Sequence, residues 1–238
     1  DQIVSVSTNT ARDVQRFFGI PLSRQRIILN GIDHSRFYPG DHAGAREKAR
    51  HRWGIDEPFF LYVSRLEHPA KNHVRLIEAF SRFKKATGST WKLMLAGGDW
   101  HGSEHIHAAA KASPHASEIL LPGFVEDAAL PDLYRAAGCM VYPSLFEGFG
   151  LPPVEAMACG CPVISSLRGA LDEVVGNAAH IVDPEQVEDI AQALGRIATD
   201  ELKRERLVQS GLRKAQRFDW GQCARQMLSL WAGGADDR

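Results

Sequence analysis

The chain has 238 residues, room for one large domain or two small ones, with 44% hydrophobic residues to build a core and 24% charged residues, ordinary for a globular protein. Its 28 basic and 29 acidic side chains leave a formal net charge of -1, so no global field draws in nucleic acid and any anion site has to be local. No apolar run approaches the ~20 residues of a membrane span and no signal-peptide pattern opens the sequence. The cysteines, Cys139, Cys159, Cys161 and Cys223, have neither zinc-ribbon nor redox spacing and read as structural thiols of a reducing cytosol.

In chain order, Ile3 to Val6 reads as a strand, Thr8 to Phe18 as a helix and Ile27 to Leu29 as a strand that stops at the Asn30-Gly31 turn. The sequence begins at Asp1, without Met and in a strand-like run, which suggests a fragment. Further on, short apolar runs alternate with helical spacing. The runs are Phe59 to Val63, Trp91 to Ala96, Ile119 to Leu121, Cys139 to Tyr142, Pro162 to Ile164 and His180 to Val182. Between them, Val74, Ile77, Phe80 and Phe83 recur at helical spacing, as do Leu130, Leu133, Tyr134 and Ala137, and then Val187, Ile190, Leu194 and Ile197. Buried strands alternating with helices predict an α/β fold with a Rossmann-like, doubly wound parallel sheet. From about Glu185 to Trp231 helix follows helix, with breaks near Asp200 and Asp219.

Ligands of such open sheets bind beyond the carboxyl ends of the strands, so the loops there are the places to look. After the Cys139 to Tyr142 run comes Glu147-Gly-Phe-Gly-Leu-Pro-Pro-Val-Glu155. Gly148 and Gly150 permit a tight turn and close approach to a ligand, and Pro152 and Pro153 suit the first turn of a helix. The unpaired N–H groups at that helix start suit a phosphate or sugar oxygen, and Glu147 and Glu155 can both face one cleft. A carboxylate that accepts from two vicinal hydroxyls is the usual way to hold a ribose. Taken alone, two glutamates beside a glycine turn are surface charges far more often than ligands. The loop also lacks the third glycine of a dinucleotide fingerprint, and the chain has no phosphate loop ending in Lys-Ser or Lys-Thr. His101, His105, His107 and His115 cluster near Glu104, and His101 and His105 would share a helical face. Their spacing matches no standard zinc signature, and a solvated or hydrogen-bonded role is the better reading.

Resemblance across almost the whole chain changes the weight of the glycine loop. Glu147 to Glu155 resembles the Glu-x7-Glu motif of the family 4 retaining glycosyltransferases, which have the two-Rossmann GT-B fold. Asn30-Gly31-Ile32-Asp33 with Phe37 and Pro39 resembles the segment by which that family's chain passes into the donor domain. Val63-Ser64-Arg65-Leu66 followed by Lys71-Asn72 resembles its Gly-Arg-Leu…Lys-Gly stretch, with Ser64 and Asn72 where glycine is usual. Gly123-Phe124-Val125 resembles its base-contacting loop. Gly160-Cys161-Pro162-Val163-Ile164 is similar to the strand after the motif helix, and Phe218-Asp219-Trp220 to its closing Phe-Ser-Trp.

The resemblance implies the C-terminal, donor-binding half of a GT-B enzyme. Residues 1–30 would end the N-terminal acceptor domain, residues 31–217 would form the donor domain, and residues 218–238 would return towards the first. Arg65 and Lys71 would hold the donor diphosphate and stabilise it as it leaves. Two positioned cations can offset that charge without a metal, and no Asp-x-Asp metal motif occurs in the chain. Glu147, Gly148 and the backbone of Phe149, Gly150 and Leu151 would grip sugar and phosphate. Glu155 would bind the ribose diol, the backbone of Phe124 and Val125 would read the base, and Ser64 would line the phosphate site. The implied reaction is transfer of a hexose, from GDP-mannose first and a UDP-hexose next, to a glycan or lipid-linked glycan in cell-surface polysaccharide assembly. No cofactor is implied beyond the sugar nucleotide as substrate. The implied location is cytoplasmic, at the inner face of the membrane by peripheral association, and the chain alone, without the N-terminal Rossmann domain, is expected not to transfer sugar. A sugar-nucleotide epimerase of the same fold and a nucleotide-sugar-binding module without transfer activity are the alternatives.

Overall fold

The computed structural model describes residues 2–233; Asp1 and residues 234–238, the outer ends of the first and last expected segments, lie outside it. Strand β1 (Ile3–Ser5), helix α1 (Thr8–Phe18) and strand β2 (Gln25–Ile27) form a unit of their own, in which β1 and β2 pair in parallel. Helix α2 (His42–Trp53) leads into the main sheet, and then strands and helices alternate. The order is β3 (Phe59–Val63), α3 (His73–Thr87), β4 (Lys92–Ala96), α4 (Ser103–Ala112), β5 (Ile119–Gly123), α5 (Leu130–Ala136), β6 (Cys139–Tyr142), α6 (Leu151–Ala158), β7 (Val163–Ser165), α7 (Leu171–Val174) and β8 (His180–Ile181). Three helices close the chain: α8 (Val187–Thr199), α9 (Glu201–Ala215) and α10 (Trp220–Gly233).

The main sheet has six strands in the order β5-β4-β3-β6-β7-β8, all pairs parallel. This is the doubly wound α/β sheet expected from the alternating pattern. It follows from strands such as Phe-Phe-Leu-Tyr-Val, whose residues are buried on both faces, so helices have to cover both sides. The chain runs outward in one direction from β3 to β5 and in the other from β6 to β8. The switch point therefore lies between β3 and β6, where the loops leaving neighbouring strands diverge and open a crevice.

Two sequence expectations need correction. The strand expected at Ile27 to Leu29 forms at Gln25–Ile27. Gln25 is buried because its amide is fully used: it accepts from the Ser5 hydroxyl at 3.0 Å and donates to the carbonyls of Ala11 and Ile20, each at 3.0 Å. The apolar Ile27, by contrast, stays exposed. Helix α2 was not anticipated, because it buries only Ala45 and Ala49 and lacks an apolar stripe; caps define it instead. The Asp41 carboxylate accepts from the Ala43 and Gly44 N–H groups, and Gly54 ends it in the left-handed conformation.

No described helix is long and apolar enough to cross a membrane.

Candidate functional site

The loops that follow β3, β4, β6 and β7 meet at the carboxyl edge of the sheet. Beyond β3 and β4 the two chains stay zipped: Ser64 N–H donates to the Ala96 carbonyl at 3.0 Å, Leu66 N–H to Gly98 at 2.9 Å and Trp100 N–H to Leu66 at 3.2 Å. A Cβ at Gly97 would overlap the Ser64 carbonyl oxygen, so only glycine permits this approach. The zipper presents the Arg65 side chain outward. Its guanidinium lies 3.2 Å from Glu67 and 4.8 Å over the Trp100 ring.

Lys71 is held more deeply. Its ammonium is 2.7 Å from the Glu147 carboxylate, with the two side chains only 15% and 10% exposed. Its carbonyl accepts from the Tyr62 hydroxyl at 2.7 Å, and that hydroxyl also lies 2.9 Å from the Ser144 hydroxyl. Asn72, where the resembled motif has glycine, is left-handed with φ 64° and so fills the conformational role of glycine. It adds what glycine lacks: its amide donates to the carbonyls of Pro143 at 2.9 Å and Pro184 at 2.7 Å, tying the lysine loop to those after β6 and β8. His73 opens α3 fully buried, its ring stacked on Tyr62 at 4.5 Å and its Nε2 3.3 Å from the Ser64 hydroxyl. Burial holds that imidazole neutral, with its pKa lowered to about 3.

The glycine loop is fixed from three sides. The Glu147 carbonyl accepts from Ala170 N–H at 2.8 Å, across Gly169, which is left-handed with φ 65° and has no room for a Cβ beside that carbonyl. The Gly148 carbonyl accepts from the hydroxyls of Ser7 at 2.8 Å and Thr10 at 3.1 Å. Phe149 is buried edge-on against Phe218, ring centroids 5.7 Å apart. Gly150, with φ 98°, turns the chain into α6, where Pro152 and Pro153 sit in the first turn as expected. Among the described residues the N–H groups of Phe149, Gly150 and Leu151 find no acceptor. The first N–H groups of a helix have no intrahelical partner, so the start of α6 can receive a ligand oxygen.

Glu155 lies on α6 and accepts from the Tyr134 hydroxyl at 2.9 Å. Burial raises its pKa, and the tyrosine hydrogen bond works against that rise. At the end of β5, Gly123 turns with φ 76°; beyond it Phe124 is 74% exposed and Val125 is buried. Direct contact thus joins Lys71 to Glu147, whereas Arg65 and Glu155 stand apart with partners of their own and Phe124 is exposed. Sequence reading missed Ser7, Thr10, Tyr62, Asn72's amide, Gly169 and Tyr134. No local pattern marks them, because each acts through a partner distant in sequence.

The histidine cluster resolves into separate pairs, His107 with Asp99 at 2.7 Å and His115 with Glu118 at 3.0 Å, and no described group of three or more His, Cys, Asp and Glu side chains could hold a metal ion. A cavity of about 1060 Å³ lies at the opposite edge, where Phe59, Gly138 and Pro162 lead into β3, β6 and β7. Ligands of parallel α/β sheets bind at the carboxyl edge, so position outweighs size here.

Residues 45–214 match the family model described as "Glycosyl transferases group 1". The O-antigen chain mannosyltransferase B of Escherichia coli is 31% identical over 233 residues, 96% of this chain and 60% of that protein. The chain thus spans about three fifths of this curated relative. Among solved structures, sucrose-phosphate synthase from Thermosynechococcus elongatus superposes with a TM-score of 0.84 at 26% identity, over 100% of this chain and 59% of that one. Alr3699/HepE from Anabaena, in complex with UDP-glucose, gives 0.87 at 21% identity, over 98% and 64%. These neighbours are GT-B glycosyltransferases, in agreement with the fold expected from the motifs.

Proposed function

Because the chain belongs to the glycosyl transferases group 1, we propose that it binds the sugar-nucleotide donor for a retaining hexosyl transfer, with GDP-mannose the first candidate and a UDP-hexose the next. The observation that carries this is the Lys71–Glu147 pair beside a glycine loop whose N–H groups await an acceptor, at the switch point of the sheet. The O-antigen mannosyltransferase supports mannose and a cell-surface glycan acceptor, free or lipid-linked; the HepE complex with UDP-glucose supports the UDP alternative.

In this reading the bond between the anomeric carbon and the diphosphate oxygen breaks, and negative charge gathers on the leaving phosphate. Lys71 and Arg65 offset it, and the N–H groups of Phe149, Gly150 and Leu151 receive phosphate and sugar oxygens in a site already fixed before binding. Glu155 accepts from the ribose diol. Ser64 lines the phosphate side and the backbone of Phe124 and Val125 reads the base. Two cations and a helix start supply the charge stabilisation that a divalent metal supplies elsewhere, so the transfer is metal-independent. Residues 1–30 and α10 connect the donor domain to an acceptor-binding partner domain, and the protein works at the cytoplasmic membrane face by peripheral association.

The test is turnover of the full-length protein, with its acceptor-binding domain, with GDP-mannose and UDP-hexoses on mannan and lipid-linked acceptors, with and without EDTA. Transfer that retains the anomeric configuration and survives EDTA is expected. No transfer from any of these donors, or activity lost to EDTA and restored by manganese, would contradict the reading.

A further inference from the structure

The first turn of α1 belongs to the small β1–α1–β2 unit, yet it reaches the glycine loop of the donor site. Ser7 and Thr10 both direct hydroxyls at the Gly148 carbonyl, at 2.8 and 3.1 Å. The Ser7 oxygen accepts from Thr10 N–H at 3.0 Å, and the Ser7 hydroxyl can donate to the Thr10 oxygen, 2.9 Å away, as well as to the carbonyl, so its one proton is shared while that of Thr10 is directed at the carbonyl. The same turn is clamped from α7, where the Glu173 carboxylate accepts from the N–H groups of Thr8 and Asn9, each at 3.0 Å. That carboxylate also sits favourably at the positive end of the helix.

A trans peptide is planar, so its C=O and the N–H of the following residue point in opposite directions. Two hydroxyls that hold the Gly148 carbonyl therefore fix the direction of the Phe149 N–H, which has no acceptor among the described residues. Gly148 has no side chain to resist rotation of this peptide, and the Thr10 oxygen lies 3.7 Å from where a Cβ would be. Without the hydroxyls the peptide would have little to choose its orientation. The Glu147 carbonyl, one residue earlier, is held independently by Ala170, so the α1 contact acts on the Gly148–Phe149 peptide alone.

We infer that Ser7 and Thr10 are positioning residues of the donor site: from outside the six-stranded domain they aim the Phe149 N–H at the sugar and distal phosphate of the donor. This rests on the donor reading above.

The clean perturbation is Thr10→Val, which removes the hydroxyl and keeps the shape; Ser7→Ala would also remove the cap of α1. Calorimetry of the protein with GDP-mannose and UDP-glucose, beside GMP and UMP, reads the effect. Thr10→Val is expected to weaken the sugar nucleotide that the wild type binds by about three- to tenfold, the scale of one hydrogen bond, with the monophosphate unchanged. Thr10→Ser is expected to restore wild-type affinity. Equal weakening of sugar nucleotide and monophosphate, or no weakening of either, overturns the inference while leaving the donor reading intact. A wild type that binds neither sugar nucleotide overturns both.

Discussion

Substitution of Asn72 separates two roles that the structure assigns to one residue. Its backbone is left-handed, with φ 64°, and its amide donates to the carbonyls of Pro143 and Pro184 in buried surroundings. Asn72→Gly keeps the conformation and loses these two hydrogen bonds and the one its oxygen accepts from Arg75 at 3.0 Å, each worth ~0.5–1.5 kcal/mol net, so a loss of about 1.5–4.5 kcal/mol is expected. Asn72→Ala loses the same bonds and adds a Cβ to a left-handed residue, at about 1–2 kcal/mol. Glycine's greater freedom in the unfolded chain returns about 0.5–1 kcal/mol of that difference. Alanine should therefore be less stable than glycine by about 1 kcal/mol, and both less stable than the parent. Urea unfolding measures this, provided the slopes of the transitions agree. Alanine as stable as glycine would refute the left-handed assignment. Glycine as stable as the parent would mean that the amide bonds contribute nothing and that Asn72 merely stands in for glycine.

Glu155→Gln should keep the Tyr134 hydrogen bond yet be more stable than the parent at neutral pH, because burial raises the pKa of the parent's carboxyl and makes its ionisation costly. The sign follows from the raised value: the parent's disadvantage appears as pH rises through the folded pKa and vanishes below the ordinary carboxylate range. Melting temperatures of the two proteins across pH test it, and a gap independent of pH would sink the assignment. Gly97→Ala should disrupt the exits of β3 and β4, since its Cβ overlaps the Ser64 carbonyl, whereas Gly88→Ala, left-handed but in open space, should cost only about 1–2 kcal/mol. Comparable unfolding midpoints for the two would show that the strand exits are not closely packed.

The main sheet was legible because its strands are continuous apolar runs between helices of clear period, and α1 was legible down to its ends. Strand β2 and helix α2 were not, and for opposite reasons. Gln25 is buried by hydrogen bonds that reach β1 and α1, so the most apolar stretch is not the paired one. In α2 small alanines face the core and charged residues cover the rest, so caps define a helix that periodicity does not. At the site, motif order singled out Lys71 and Glu147 but could not show that they touch. The residues that shape the loops around them work across long separations in sequence: Ser7 on Gly148, Ala170 on Glu147, Asn72 on Pro184. Such contacts depend on the completed fold and leave no local spacing to read.

In the donor reading Lys71, poised on Glu147, receives the donor diphosphate, and calorimetric titration of the parent and of Lys71→Ala with GDP and UDP, beside guanosine and uridine, tests this. The parent should bind one of the diphosphates well above its nucleoside, and the variant should lose about 1.5–3 kcal/mol of that diphosphate affinity, the worth of a charge-assisted contact, with nucleoside affinity unchanged. Equal losses for nucleoside and diphosphate, or a diphosphate affinity indifferent to the substitution, would contradict it.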